Sequence, residues 1–416
     1  MPEFENQHYV PKGILNNFGN MKTKGKYEVC MIDIINAKVG FKSTEYAMNA
    51  RNIYDVKDTD IKILEKKFNT EIEDPMMKIV EKLLKKTDVI RITRRQLAII
   101  KKYMLIQIFR SLPNREGYAN PPEREKLLSD YNIRKGESKL DFWKREMMTI
   151  LNSDWDSLLE SKDLISVRFH ARTLHGGFLM FFRTKEEFVI NDSGVVCERI
   201  HLEIPEQIRE NLIEGANKMM EESFGINDPD NIAKYMSGYK RPFIDTGIWM
   251  PLSSNFAIVN VNRILRPYVM GNLPIPHPFS QSNLIGHLSL PKTTYVNETK
   301  IYADLEDQMK NHETKISTLS DEEAFSLKNM LMDEVILKNK NDKDAYEYEV
   351  RKIGASETKY WNSLVMNEVH QYLCFKTPQK IIPAIEEYNQ LKAEGMKGVN
   401  HDYRSYVSLL KTLKNT

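Results

Sequence analysis

Residues 93–110 read TRRQLAIIKKYMLIQIFR, and this stretch indicates a helix at the centre of the protein. Thr93 and Gln96 have the T-x-x-Q spacing of a capping box, which marks the start of a helix. The pattern predicts that the helix continues to Leu112. Residues from Tyr103 to Phe109 are apolar on nearly every side, so we expect this half of the helix to be buried all round.

The chain before this helix contains a predicted β-hairpin and a second predicted helix. Residues 26–33 and 37–41 have the composition of strands and are joined by a turn at Ile35-Asn36. Apolar side chains then recur at helical spacing over residues 61–83. Pro75 lies inside this pattern and should kink or restart the helix, because proline has no backbone N–H.

The middle of the chain has the composition of strands and turns. Residues 178–182 and 188–190 are apolar and flank a polar run, which predicts a hairpin. Residues 248–250 and 256–259 predict further strands. Pro205 opens a predicted amphipathic helix between these strand regions, because proline is favoured in the first turn of a helix.

The last part of the chain is predicted to be irregular and then helical. Five prolines fall between residues 265 and 292, which predicts either a lid or a packed loop. Ser320 and Glu323 form a second capping-box spacing. Residues 338–344 predict a solvated connection, and the apolar residues within 361–372 predict one face of a further helix.

This order of elements predicts an α+β protein. Helices come first, strands follow and helices return, without the alternation typical of a parallel α/β sheet. We expect a mainly helical body with a central β-rich region and an N-terminal β-hairpin. The zones are 1–160 (hairpin and helices), 161–310 (strands and the proline-rich loop) and 311–416 (helices), and we expect them to form one continuous globular unit.

Composition excludes several classes of protein. The 416 residues include 60 basic and 58 acidic side chains, so the chain as a whole has no field that would attract DNA, RNA or a membrane. The three cysteines are far apart, which argues against a disulfide framework. The first residues lack the pattern of a signal peptide, and no stretch approaches the roughly 20 apolar residues of a membrane span. We therefore expect a soluble cytoplasmic protein.

Gln107 and Arg110 are polar residues on one face of the most apolar helix. A buried guanidinium is costly unless it is paired, so Arg110 must meet a carboxylate, carbonyl groups or a ligand phosphate. Glu65, Glu73 and Asp192 are the candidate partners. Two interpretations stay open: a structural ion pair, or part of an active or binding site.

A local basic stretch precedes and enters the same helix. Its candidate nucleic-acid contacts are Lys85, Lys86, Arg91, Arg94, Arg95 and Lys101. Such a cluster can neutralise phosphates. The alternative is a solvated face beside a buried helix, which is favoured because no aromatic residue is interleaved before Tyr103.

Four short motifs occur in the order found in a known family. They are Asn6-Gln7-His8-Tyr9-Val10-Pro11, Gln107-Ile108-Phe109-Arg110, Phe188-Val189-Ile190-Asn191-Asp192 and Pro251-Leu252-Ser253. Together they resemble the uncharacterised family catalogued as domain of unknown function 4238, over most of the chain. Asn191 replaces a hydroxyl residue of the family pattern and Ser193-Gly194 replaces a proline turn, so the backbone at Asp192 is expected to differ. The resemblance implies no established activity and only singles out polar residues.

A predicted site follows if these polar residues converge. Its members are His8, Glu73, Gln107, Arg110 and Asp192. Histidine suits acid–base catalysis near neutral pH, carboxylates suit magnesium or manganese, and arginine suits a phosphoryl charge. This set predicts an intracellular, nuclease-like hydrolase of nucleic acid or nucleotide phosphodiesters, and the character of such families suggests a phage-defence or toxin-like effector.

A second hypothesis belongs to another class of protein. The chain would be a non-catalytic ligand sensor or protein-interaction module, in which Arg110 and its partners stabilise the core. The proline-rich segment would then contact the ligand or the partner protein. The sequence contains no recognised metal or nucleophile motif, so both hypotheses remain open, and the oligomeric state is not predicted.

Overall fold

A computed structural model of the chain describes residues 6–51, 62–111, 133–161, 164–201, 243–270, 279–393, 409 and 413. The predicted helix that opens at Pro205 lies outside the described residues, as does Leu112. All statements below concern the described part of the chain.

The strands are short at the N-terminus and longest in the middle of the chain. They are β1 (Asn6–His8), β2 (Asn20–Thr23), β3 (Lys26–Asp33), β4 (Lys38–Ser43), β5 (Asn49–Arg51), β6 (Val89–Thr93), β7 (Phe178–Thr184), β8 (Ile190–Asn191), β9 (Val196–His201), β10 (Phe243–Ser253), β11 (Phe256–Val261), β12 (Lys292–Thr294), β13 (Ala345–Ile353) and β14 (Tyr372–Phe375).

The helices are distributed over the whole described chain. They are α1 (Lys12–Asn16), α2 (Lys62–Lys67), α3 (Asp74–Leu84), α4 (Arg94–Arg110), α5 (Lys139–Asn152), α6 (Trp155–Leu159), α7 (Ile165–Gly176), α8 (Arg266–Met270), α9 (Glu298–Asn311), α10 (Glu313–Ser317), α11 (Asp321–Lys338), α12 (Ala355–Asn367) and α13 (Pro378–Ala393). A π-helical segment, Phe68–Glu73, joins α2 to α3, and 3₁₀ turns occupy Arg263–Leu265, Phe279–Gln281 and Ile285–His287.

The described strands form three sheets. The largest has seven strands in the order β12-β13-β7-β11-β10-β9, with β6 also paired to β13. The second has five strands, β2-β3-β14-β8, with β4 on β3, and the third pairs β1 with β5. Most pairs are antiparallel, whereas β13 and β7 are parallel. Together with the helices, this mixture confirms the predicted α+β class. Strands from all three sequence zones share the two larger sheets.

Several local predictions are confirmed. β3 and β4 form the N-terminal hairpin, whose turn is closed by the Asp33 carboxylate accepting hydrogen bonds from the backbone N–H groups of Ile35 and Asn36 at 3.1 and 3.0 Å. At the start of α4, the Gln96 backbone N–H donates to Thr93 Oγ1 at 3.3 Å and the Thr93 N–H donates to Gln96 Oε1 at 2.9 Å. The capping box therefore forms as predicted, and the second half of α4 is buried.

Pro75 coincides with the π-helical segment. Because it has no N–H, Pro75 cannot donate to the carbonyl of Glu71 one turn earlier. The chain stays helical through this point, and the wider π-helical turn lies directly before Pro75. The predicted restart is therefore a change of helix type rather than a break.

The predicted hairpin between 178–182 and 188–190 is wrong. β7 lies in the seven-stranded sheet, whereas β8 lies in the five-stranded sheet. The connection between them is held by the β10–β11 turn, because the N–H of Thr184 donates to the Asn255 carbonyl and the N–H of Phe188 donates to the Ser254 carbonyl. β10 and β11 pair with each other, which confirms the two strands predicted there.

Two predictions for the last zone need correction. β13 follows the predicted solvated connection and pairs with three other strands. Asp344, within that connection, is fully buried and accepts hydrogen bonds from Arg94 and from the backbone N–H of Val296. The predicted helical face over 361–372 stops early, because α12 ends at Asn367 and Tyr372 begins a strand.

The described part of the proline-rich segment is a packed loop. It contains α8, two 3₁₀ turns and β12. The buried Glu198 carboxylate anchors it by accepting hydrogen bonds from the Ser282 hydroxyl at 2.5 Å and the Asn283 N–H at 3.0 Å.

No helix in the described ranges has both the length and the apolar composition that a membrane crossing requires.

Candidate functional site

A polar cavity of about 450 Å³ lies where the N-terminal strand, the π-helical segment and the end of α4 meet. His8, Glu73 and Arg110 line it, together with Glu45 and Glu65. α3 and α4 pack side by side and are connected through β6, so the start of α3 faces the end of α4. This arrangement brings Glu73 to Arg110.

Arg110 is buried, with 3% of its surface exposed, and its guanidinium joins two walls of the cavity. Its Nη1 lies 2.5 Å from Glu73 Oε1. Its Nε and Nη2 donate to the backbone carbonyl of His8 at 3.2 and 2.7 Å. The guanidinium carbon also lies 4.9 Å from the centre of the Phe68 ring. Of the three carboxylates considered as partners, Glu73 therefore pairs with Arg110, and Glu65 lines the same cavity.

His8 presents a neutral imidazole to the cavity. Its Nε2 lies 3.1 Å from the Thr44 carbonyl oxygen, which only accepts hydrogen bonds, so Nε2 carries the proton. Burial lowers the pKa of His8 below its usual value, and the positive charges of Arg110 and Lys12 lower it further. The Thr44 hydrogen bond and Glu73 oppose this shift. At neutral pH the Nδ1 atom is therefore unprotonated and is able to accept a proton.

Gln107 does not line the cavity. Its Nε2 donates to the backbone carbonyls of Tyr9 and Ser193 at 2.8 and 3.0 Å. Gly194 follows with a φ of +68°, and a Cβ atom there would approach Gln107 Nε2 to 2.8 Å. Glycine is thus required at this turn by both its conformation and its contact. Gln107 and Arg110 together hold the carbonyls of two successive residues, His8 and Tyr9.

Asp192 does not line the cavity. Its carboxylate is fully buried and accepts hydrogen bonds from the backbone N–H groups of His370, Gln371 and Tyr372 at 3.1, 2.6 and 2.9 Å. Burial raises the pKa of Asp192, while these three donors oppose the shift. The predicted convergence thus holds for His8, Glu73 and Arg110, whereas Gln107 and Asp192 hold backbone outside the cavity.

The six predicted nucleic-acid contacts divide into two groups. Four are exposed: Lys85, Lys86, Arg91 and Arg95. Arg94 is partly buried and its Nε lies 3.0 Å from Asp344 Oδ2. Lys101 is buried, and its ammonium donates to the carbonyls of His175 and Gly177 at 2.9 Å each. Burial lowers the pKa of Lys101 to about 7. Lys101 is therefore turned into the core, away from any surface phosphate.

The family can now be assigned. A family model described as Protein of unknown function (DUF4238) matches residues 6–379. The chain belongs to the DUF4238 family. This confirms the resemblance that the four sequence motifs indicate. No curated protein and no solved structure matches the chain.

Two of the four sequence motifs supply the cavity directly. The N-terminal element contributes His8 and Pro11, and the Q-x-x-R segment contributes Arg110. In the third motif, Asn191 Oδ1 accepts hydrogen bonds from the backbone N–H groups of Ser193 and Gly194 at 3.2 and 3.1 Å. The asparagine side chain thus closes the turn from Asn191 to Gly194.

Five lining residues were missed by the sequence analysis: Lys12, Glu45, Tyr46, Phe68 and Asn69. Lys12 directly follows the N-terminal motif, and its position in the chain was a usable signal. Phe68 and Asn69 precede Glu73 by about one turn, which also places them near it. Glu45 and Tyr46 lie in a surface turn after β4 and carry no sequence signal for a site.

The described ranges contain no preformed cluster of ligands for the predicted divalent metal ion. No three His, Cys, Asp or Glu side chains there are grouped so as to hold a metal ion. Glu45, Glu65 and Glu73 line the same cavity without forming such a group. Dependence on magnesium or manganese stays a prediction.

Proposed function

We propose that the cavity is the active site of a nuclease-like hydrolase acting on phosphodiesters of nucleic acid or nucleotides. One observation supports this most: His8, Glu73 and Arg110, which are distant in sequence, line one cavity. A volume of about 450 Å³ also lies within the range of small-ligand sites.

Each of the three residues has a role in this reaction. His8 Nδ1 accepts a proton from the attacking water as the water oxygen bonds to phosphorus. The phosphorus–oxygen bond to the leaving group breaks, and the leaving oxygen takes a proton from solvent. Arg110 stabilises the charge that develops on the phosphoryl oxygens. Glu73 acts as a positioning residue, because it holds the guanidinium in place.

The exposed basic residues fit an auxiliary contact with the phosphate backbone. Lys85, Lys86, Arg91 and Arg95 provide positive charge near the start of α4, which is the end remote from the cavity. The cysteines Cys30, Cys197 and Cys374 are free, which supports a reducing cytoplasm as the compartment. We further propose that the protein is a defence or toxin-like effector that cleaves cellular nucleic acid.

A second candidate function is non-catalytic ligand binding. It is favoured by the state of Arg110, whose Nε, Nη1 and Nη2 all contact Glu73 or the His8 carbonyl. A guanidinium held in this way also serves as a structural clamp. The cavity would then recognise a small molecule without transforming it.

Cleavage assays with a matched histidine control distinguish these functions. The purified protein is incubated with labelled RNA, DNA and nucleotides, with and without magnesium or manganese. His8→Ala is compared with His312→Ala, because the His312 ring also contacts a backbone carbonyl, that of Gln308, but lies outside the cavity. Cleavage by the wild type that is lost in His8→Ala and kept in His312→Ala is the expected result. No cleavage of any substrate, or cleavage unaffected by His8→Ala, contradicts the proposal.

A further inference from the structure

The charges that line the cavity do not match a purely phosphate-binding site. Its acidic residues are Glu45, Glu65 and Glu73, and its basic residues are Lys12 and Arg110. Three carboxylates against two cations disfavour a ligand that presents several phosphates at once. The ligand should therefore present hydrogen-bond donors as well as an anionic group.

A fixed turn at the cavity mouth carries an exposed aromatic ring beside one of these carboxylates. Tyr46 is 51% exposed and lines the cavity with its neighbour Glu45. Two hydrogen bonds hold the turn, one on each side. The Thr44 carbonyl accepts a hydrogen bond from His8 Nε2, and the Met48 carbonyl accepts one from the backbone N–H of Tyr9 at 3.0 Å. Met48 is buried with a φ of +48°, a strained conformation that persists only where the surroundings enforce it.

We propose that Glu45 and Tyr46 form a base-binding subsite at the cavity mouth. Its ligand is an unpaired nucleotide whose base carries an exocyclic amino group. The proposal rests on the proposed function and deepens it. The base stacks on Tyr46, and its amino group donates to the Glu45 carboxylate. The attached phosphate then points inward to His8 and Arg110. A base within a duplex is stacked and paired, so an unpaired base is the one that fits.

The same chemistry sets the specificity. Adenine, cytosine and guanine each carry an amino group that a carboxylate accepts. Uracil has no amino group, and its N–H lies between two carbonyl oxygens that the Glu45 carboxylate repels. Asn69 also lines the cavity and offers both a donor and an acceptor to the base edge. The expected order therefore separates amino-bearing bases from uracil.

Calorimetric binding of mononucleotides to the full-length protein tests the subsite. Wild-type protein is titrated with AMP, CMP, GMP and UMP, and the expected preference for the first three over UMP is about ten-fold. Glu45→Gln should remove this preference, because an amide both donates and accepts. Tyr46→Leu should weaken binding of all four nucleotides, by roughly ten-fold. Both substitutions are at exposed positions, and circular dichroism checks that the variants fold.

Matched controls come from exposed residues of the same type elsewhere. Tyr302 on α9 is 61% exposed and Glu313 on α10 is exposed, and neither lines the cavity. Tyr302→Leu and Glu313→Gln should keep the wild-type affinities and preference. Equal binding of UMP, no binding of any nucleotide, or an unchanged preference in Glu45→Gln would overturn the subsite.

This test is separable from the test of hydrolysis. Binding is measured without turnover, so the base preference is observable even if no phosphodiester is cleaved, in which case only the proposed function fails. Conversely, wild-type protein that hydrolyses bis(p-nitrophenyl) phosphate, which has no base, and binds the four mononucleotides equally would sustain the hydrolase and overturn only the subsite.

Discussion

Substitution of Arg110 by methionine tests whether the cavity wall depends on this one guanidinium. The ion-paired side chains of Arg110 and Glu73 are 4% and 14% exposed. Methionine would leave the Glu73 carboxylate without its cation and would remove two donors from the His8 carbonyl. Breaking one partner of a buried ion pair costs about 3–5 kcal/mol, so we expect the free energy of unfolding to fall by about 4 kcal/mol.

Urea unfolding followed by circular dichroism measures this loss. The double variant Arg110→Met/Glu73→Leu should recover about 2 kcal/mol relative to Arg110→Met, because it leaves no unpaired charge in the cavity wall. Arg91→Met is the surface control: Arg91 lies 3.9 Å from Glu347, and the two side chains are 62% and 40% exposed. Its effect should be about 0–1 kcal/mol.

Two outcomes would refute this reasoning. If Arg110→Met is no less stable than Arg91→Met, the guanidinium is not a structural clamp. If the double variant is as unstable as Arg110→Met, the cost does not come from an uncompensated Glu73 carboxylate. Recovery in the double variant is the decisive result, because loss of packing alone would make the double variant worse.

Three further predictions concern the acidic, histidine and basic residues. Asp192→Asn should lower the melting temperature more than Asp33→Asn, because the buried Asp192 carboxylate accepts hydrogen bonds from three backbone N–H groups whereas Asp33 closes an exposed turn. Equal shifts would contradict this. If His8 is the general base, kcat/KM of cleavage should decline only as the pH falls below about 6.5. The reason is that burial lowers the pKa of His8 and keeps the proton-accepting form populated at neutral pH. A decline that begins well above that pH is inconsistent with His8 as the base. Lys85→Glu/Lys86→Glu should weaken oligonucleotide binding and reduce the slope of log affinity against log salt by about 2, measured by fluorescence anisotropy; an unchanged slope would exclude both residues from phosphate contact.

Local chemistry explains which parts of the fold were predictable. The capping boxes at Thr93 and Ser320 are satisfied within four residues, and α4 and α11 begin where these boxes predict. β10 and β11 pair across a short turn, so their pattern was also sufficient. The hairpin predicted after β7 does not form, because Thr184 and Phe188 donate hydrogen bonds to residues near position 255, about 70 positions away. Apolar pattern alone does not select between near and distant partners.

β13 shows the same limit for a whole strand. Tyr348 and Val350 are buried, while Glu347 and Glu349 point outward, which is the alternation typical of a half-buried strand. That signal was present but surrounded by helical segments. Its parallel partner, β7, lies about 170 residues earlier, so the pairing depends on tertiary structure.

The cost of burying charge identified part of the site. A guanidinium inside an apolar helix must be paired, and this requirement led to three candidate carboxylates, of which Glu73 is the one that pairs with Arg110. The same requirement misled for Asp192, because a carboxylate is equally well satisfied by backbone N–H groups, and those of residues 370–372 reach it first. The sequence shows that a buried charge needs partners but not whether these are side chains or backbone.

The length of α4 sets the distance between the cavity and the exposed basic residues. It therefore sets the length of strand that can contact both. Arg94 and Arg110 mark the two ends of this helix, and sixteen residues at 1.5 Å per residue separate them by about 24 Å. At about 3.4 Å per stacked nucleotide, a strand must be roughly seven nucleotides long to contact both ends. A mononucleotide therefore reports on the cavity residues, whereas only an oligonucleotide also reports on Lys85 and the neighbouring basic residues. Affinity that rises with strand length up to about this size would show that both surfaces hold one substrate.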